Sequence, residues 1–164
     1  MNPLLVLGIQ SALSFIAFAL IAKWYVLPMM SELTLEQRLI PLTWLHVFRY
    51  VALVGLLPGQ VSAEVPPDPL AAVVYGDMLS GLLALVVVVM LRYRTPGAIG
   101  AAWIFNIVGL ADWAQSQVQG MSAGIFQYAL GASALVFVFY VPLLVVSHVV
   151  MIYWLATRLR GNAG

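Results

Sequence analysis

Residues 70–91 read LAAVVYGDMLSGLLALVVVVML, a run that contains a single charged side chain, Asp77. A helix needs about 20 predominantly apolar residues to cross the hydrocarbon core of a bilayer, so this run predicts a transmembrane helix. Asp77 is notable because a charge at that depth is costly, and such residues commonly face the interior of a helix bundle and serve a function.

The composition of the whole chain agrees with a membrane protein. Of its 164 residues, 63% are hydrophobic and 8% are charged, and the mean hydropathy is +1.02. Soluble domains carry roughly 25% charged residues, and so few charges could not cover the surface of a water-soluble fold. The chain contains no cysteine, which excludes disulfides, thiolate metal sites and thiol redox chemistry.

Four further apolar stretches bring the predicted number of spans to five. Thr34 and Gln37 have the spacing of a capping box ahead of the second helix, and residues 59–69, rich in proline and glycine, predict the one substantial loop. We therefore expect one all-α membrane domain over residues 1–164, a bundle whose helices cover about residues 4–25, 38–57, 70–91, 98–118 and 128–156.

The distribution of charge predicts the orientation of the bundle. Alternating spans place Glu64 and Asp68 on one side of the membrane. The other side receives the basic residues Lys23, Arg38, Arg92, Arg94, Arg158 and Arg160. The positive-inside rule then places the carboxyl terminus in the cytoplasm and the amino terminus outside, in an inner (plasma) membrane. The lipid bilayer is the expected partner, and nucleic acid is not, since no basic patch remains for it.

Five histidine, arginine and aspartate side chains fall inside the apolar stretches: His46, Arg49, Asp77, Asp112 and His148. At about 1.5 Å per residue, Asp77 and Asp112 lie level with each other, roughly 10 Å from the outer edge, and Arg49 lies slightly deeper. One arginine cannot neutralise two carboxylates. One aspartate is therefore protonated, His46 is charged, or a cation or water-filled cavity is present.

Helical spacing places these side chains on faces that can turn inward. His46, Arg49 and Tyr50 share a stripe of the second helix, while Asn106 and Asp112 share an arc of the fourth. A buried ion pair that only fixes helix register is one interpretation. The other, which we adopt, is a site that binds or passes a small polar solute, an ion or a proton, formed by Arg49, Asp77, Asp112, Asn106, His46 and Tyr50.

The two histidines leave a redox function open. His46 and His148 could be ligands of haem b or of a metal, with Arg49 pairing a haem propionate. However, their estimated depths differ by about a helical turn or more, with His148 nearest the cytoplasm. We therefore expect ordinary core histidines and predict neither a cofactor nor a metal.

A third hypothesis is an accessory or scaffold subunit of a homo-oligomer or a larger membrane complex, whose polar residues specify helix packing. Enlarging Gly81 or Gly109 should then impair assembly rather than activity.

Gly120, Ser122 and Gly124 spell G-x-S-x-G, but a loop between helices lacks the strand-to-helix elbow of that nucleophile motif. We expect a turn there, and the sequence assigns no catalytic residue.

Overall fold

The structure is a computed structural model that describes residues 2–161, with side chains through Arg158. Every regular element in this range is helical, which confirms the all-α class. The side chain of Arg160, counted above among the basic residues, lies outside the described part, as do the two chain ends at residues 1 and 162–164.

Five long helices follow one another along the described chain. Their bounds are Pro3–Met29 (α1), Leu35–Leu56 (α2), Pro67–Arg92 (α3) and Ala98–Ser122 (α4), and α5 runs from Ser133–Leu135 through Val136–Tyr140 to Val141–Gly161. Two of them contain a π-helical segment, at Ala22–Val26 in α1 and at Val136–Tyr140 in α5.

Four of these helices, α1, α2, α3 and α5, are long and apolar enough to cross a membrane. The fourth helix, α4, has the length, at 25 residues, but is not among them. Besides Asn106 and Asp112 it carries three glutamines near its end, Gln115, Gln117 and Gln119. The chain is thus an all-helical protein with several helices capable of spanning a bilayer.

Local capping sets the helix starts. The capping box before α2 is confirmed. The Thr34 hydroxyl accepts from the backbone amide of Gln37, and the backbone amide of Thr34 donates to the side chain of Gln37 at 2.9 Å.

The predicted start of the last helix near Tyr128 is wrong. Gly131, at φ +51°, adopts the left-handed conformation, and the helix begins at Ser133. The turn expected over residues 120–124 is also wrong in its first half, since α4 continues through Ser122.

The second helix changes geometry halfway. It is α-helical over Leu35–Val47 and 3-10 helical over Phe48–Leu56. A 3-10 helix has about three residues per turn, so residues three apart share one face. In this segment the buried residues are Arg49, Ala52 and Gly55.

Tyr50 therefore does not share the face of Arg49, and the prediction that it does is wrong. That prediction assumed α-helical spacing, in which positions i, i+3 and i+4 cluster. In the 3-10 segment Tyr50 turns outward, is 50% exposed and has its ring against Phe48.

Buried side chains form three successive layers along the bundle. We call the end that holds Arg38, Arg92, Arg94 and Arg158 the basic end, and the end that holds residues 57–66 and 123–132 the loop end. The basic-end core consists mainly of large apolar residues, among them Leu39, Leu91, Phe105, Met151 and Leu155. A smaller cluster at the loop end includes Ala52, Val65, Leu70, Val74, Ile125 and Leu130.

Between the two clusters lies a layer of polar side chains contributed by α2, α3, α4 and α5. We call it the polar layer, and its members are His46, Arg49, Asp77, Ser80, Asn106, Asp112, Ser147 and His148.

Candidate functional site

Arg49 is the centre of the polar layer. Its side chain is 4% exposed and reaches from α2 to aspartates on two other helices. The Nε atom donates to Asp77 Oδ1 at 2.7 Å, and Nη2 lies 2.6 Å from the same oxygen. Nη2 also donates to Asp112 Oδ2 at 2.5 Å. The structure thus brings Arg49, Asp77 and Asp112 into direct contact.

The charges in this group do not balance. One guanidinium faces two carboxylates, and Ser80 adds only a neutral hydroxyl 3.4 Å from Asp112 Oδ2. Within residues 2–161, Asp77 Oδ2 and Asp112 Oδ1 have no hydrogen-bond partner. The aspartate side chains are 14% and 18% exposed. If both are ionised, the group holds one negative charge in excess.

The two histidines pack against each other. Their ring centroids are 4.0 Å apart, and the ring of Phe105 lies 5.0 Å from His46 and 5.2 Å from His148. The expectation that the histidines differ in depth by a helical turn is therefore wrong. The last helix, α5, continues through Gly161 rather than ending near residue 156, so His148 lies further from the basic end than predicted and the two rings fall at the same level.

Each histidine has one hydrogen bond and one free ring nitrogen. His46 Nε2 lies 2.7 Å from Ser147 Oγ, and His148 Nδ1 lies 2.8 Å from Asn106 Oδ1. Asn106 thus belongs to the polar layer through His148 rather than through Arg49. His46 Nδ1 and His148 Nε2 are buried and have no partner in the described part of the chain.

The arrangement of the histidines does not fit two axial ligands of one haem. With each ligating nitrogen about 2 Å from the iron and the imidazoles on opposite faces, the ring centroids would be about 6 Å apart. Here they are 4.0 Å apart and tilted by 48°. Among residues 2–161, no three His, Cys, Asp or Glu side chains are grouped so that they could hold a metal ion.

A small cavity lies on the loop-end side of Asp77. Its walls include Asp77, Gly55 and Ser133, and it has room for about one water molecule. The Ser133 hydroxyl is buried there without a partner. Sequence reasoning missed Ser133, because a serine near the start of an apolar helix gives no signal beyond its hydroxyl group.

Glycines make room for the polar layer within this chain. A Cβ atom on Gly109 would lie 2.5 Å from His148 Nε2, and one on Gly76 would collide with Asp112 Oδ1. A Cβ on Gly81 would lie 3.2 Å from the Val47 carbonyl oxygen of α2. Enlarging Gly81 or Gly109 would thus disturb packing inside the chain, and the assembly test suggested by the scaffold hypothesis would not be specific.

Residues 6–156 match the family described as Domain of unknown function (DUF8737), and the chain belongs to that family. No curated protein and no solved structure shows significant similarity to it. The function must therefore be inferred from the polar layer itself.

Proposed function

We propose that the chain is a five-span inner-membrane protein whose Arg49–Asp77–Asp112 group binds or passes a small ion, a proton or a polar solute. One observation carries the proposal: a single buried guanidinium contacts two carboxylates, and each carboxylate keeps an oxygen without a partner. A pair that only fixed helix register would need one carboxylate. The second is an added cost in a low-dielectric interior.

The chemistry of the free atoms favours a positive or hydrogen-bond-donating ligand. Arg49 is already engaged by Asp77 and Asp112, so little of its charge is left for an anion. The atoms without partners are carboxylate oxygens, which accept hydrogen bonds and coordinate hard cations. A proton, a small cation or a neutral polar solute with donor groups matches this surface.

The proposed topology gives this ligand a route. Four helices have the length and hydropathy of membrane spans, and we assign α4 as a fifth because Asn106 and Gly109 are buried within the bundle. The positive-inside rule would place the basic end in the cytoplasm. The cavity beside Asp77 and Ser133 then lies on the outer side of the charged group.

Ion flux through reconstituted vesicles tests the proposal. The purified chain would be placed in phosphatidylcholine vesicles, and fluxes of protons, Na⁺ and K⁺ would be recorded under imposed gradients. We expect Asp77→Asn and Asp112→Asn each to abolish the flux that the wild type supports. Asp68→Asn is the matched control, since Asp68 is exposed in the first turn of the same helix as Asp77. Wild-type flux in both folded Asn variants would assign the charged group a structural role only.

A further inference from the structure

The hydrogen-bond network assigns the tautomer of His148. The Asn106 amide nitrogen donates to the Ala102 carbonyl at 2.7 Å, so the oxygen of the same amide faces His148. An amide oxygen only accepts, and His148 Nδ1 must therefore carry the hydrogen that it donates. The other ring nitrogen, Nε2, is left with a bare lone pair and no partner among residues 2–161.

The same reasoning assigns the opposite tautomer to His46. Ser147 Oγ donates its hydrogen to the Leu144 carbonyl at 2.8 Å. A hydroxyl has one hydrogen, so towards His46 it accepts, and His46 Nε2 is the donor. The bare lone pair is on His46 Nδ1, which is also buried without a partner. Two adjacent imidazoles thus offer two unused acceptors.

The nitrogen of His148 that bears the lone pair lies close to the charged group. The position of a Cβ on Gly109 would be 2.5 Å from His148 Nε2 and 3.4 Å from Arg49 Nη1. The glycine therefore leaves the imidazole and the guanidinium close together. Arg49 on α2 is bonded in turn to Asp77 on α3 and Asp112 on α4, and the other titratable group packed on α2 here is Tyr140 of α5, whose hydroxyl donates to the Leu45 carbonyl at 2.5 Å.

We propose that the ligand of this site is the proton, and that the pair of histidines is its second acceptor, on the basic-end side of the two carboxylates. This inference rests on the function proposed above. In one state the proton is on Asp77 or Asp112, and the other carboxylate balances Arg49. In the second state the carboxylic O–H bond has broken, an N–H bond has formed at His148 Nε2, and an imidazolium and Arg49 balance two carboxylates.

Both states carry no net charge, because the proton stays within one group of side chains. Moving it through an intervening water therefore avoids placing an unbalanced charge in a low-dielectric interior, which would be costly. The lone pair on His46 Nδ1 offers the next acceptor, with its ring centroid 4.0 Å from that of His148.

The histidine pair also discriminates against other cations. Alkali and alkaline-earth ions are hard cations that take oxygen ligands, and an imidazole lone pair is a poor ligand for them. A proton is the one small cation that both the carboxylate oxygens and the imidazole nitrogens accept well.

Nitrogen NMR of the unmodified chain tests the tautomers without any variant. The chain has two histidines, so a sample labelled with ¹⁵N-histidine, carrying a tag free of histidine, contains only these two imidazoles. We expect one Nδ1–H and one Nε2–H tautomer in lipid nanodiscs at neutral pH, and a single imidazolium signal on acidification. Two identical tautomers, or imidazoles that stay neutral while the protein takes up protons, would overturn the proposal.

Flux through the vesicles described above separates this proposal from the one on which it rests. We expect His148→Phe to reduce proton flux at least tenfold. Met151→Leu is the control, a volume-conserving change at a buried position one turn further along α5. If the Asn variants of Asp77 and Asp112 abolish proton flux and His148→Phe does not, the histidine proposal fails and the carboxylate site stands. If those Asn variants abolish a Na⁺ or K⁺ flux instead, the assignment to the proton is wrong. If neither carboxylate matters, the proposed function itself fails.

Discussion

The basic-end core and the polar layer are built on the same helices, one directly after the other, and they fill space in opposite ways. In the core, large side chains such as Leu91 and Met151 are almost completely buried. In the polar layer, Gly76, Gly81 and Gly109 leave room for charged side chains or for a close approach of backbones. The core conforms to the ordinary rules of packing, and the polar layer departs from them.

Most of the departures lie in or beside the polar layer. Of the buried polar side-chain atoms without a partner in the described residues, two belong to the histidine pair, one to Ser133 beside Asp77, and one to Trp113, which follows Asp112. Most buried polar groups in proteins are hydrogen-bonded, so a cluster of exceptions needs an explanation. Sites where local rules fail are commonly functional. The core should therefore determine stability, and the polar layer should determine both stability and activity.

The largest expected effect is that of Arg49→Ala. Removing the guanidinium leaves two buried carboxylates without a cation, and we expect a loss of about 3–5 kcal/mol in the free energy of unfolding. Combining the change with Asp77→Asn or Asp112→Asn should recover part of the loss. Recovery should be greater for Asp77, whose Oδ1 contacts both Nε and Nη2 of Arg49. Denaturation midpoints in detergent measure these differences, and if neither double variant exceeds Arg49→Ala, the three residues do not act as one group.

The second prediction concerns a cavity created by mutation in the basic-end core. Leu91 is 1% exposed, and Leu91→Ala should cost about 2–5 kcal/mol through lost contacts and the void that remains. Activity per folded molecule should stay at the wild-type level, because no polar-layer residue is changed. Measuring flux after correction for folded protein checks this. A loss of flux as complete as that of Asp77→Asn would abolish the proposed distinction between the two layers.

Overpacking of the polar layer should have a smaller effect on stability and a large one on activity. A Cβ on Gly109 would meet His148 Nε2 at 2.5 Å, so Gly109→Ala must displace the imidazole. We expect a cost of about 1–3 kcal/mol, measured by thermal midpoint, together with reduced flux. Gly100→Ala on the same helix is the control, since nothing lies within 4 Å of its Cβ position. Unchanged flux in Gly109→Ala would show that the position of His148 is unimportant.

The smallest effect on stability is predicted for Gly55→Ala. Its Cβ would lie 3.5 Å from Ser133 Oγ and 3.7 Å from Leu70 and Val74, all ordinary van der Waals distances. The methyl group should therefore fit, with a change within about 1 kcal/mol, and occupy the cavity beside Asp77. We expect lower flux at unchanged thermal midpoint. Full flux with the cavity filled would mean that the ligand reaches Asp77 by another route.

Comparison of the sequence with the structure shows which features hydropathy and spacing can predict. Apolar runs predict five long helices, and the spacing of Thr34 and Gln37 predicts the start of α2. Depth counted along the helices also predicts that Arg49 lies near Asp77 and Asp112, since an error of one or two residues moves a side chain by only about 3 Å.

The features that the sequence did not predict depend on tertiary contacts and on local backbone geometry. The 3-10 half of α2 turns Tyr50 outward and has no signature of its own in the sequence. It begins directly after Val47, whose carbonyl lies close to Gly81 of α3. The start of α5 depends on the left-handed conformation of Gly131. The contact of the two histidines depends on where α5 ends, and the tautomers depend on Asn106 and Ser147.

The number of positive charges that the polar layer takes up decides whether its two carboxylates hold the charge of a ligand. Potentiometric titration in detergent counts protons bound per chain, and equilibrium dialysis against Na⁺ and K⁺ counts the cations. At neutral pH we expect the wild type and Asp68→Asn each to hold one positive charge more than Asp77→Asn and Asp112→Asn do. Equal uptake by all four proteins would contradict it, because the two carboxylates would then hold no charge that a ligand must balance.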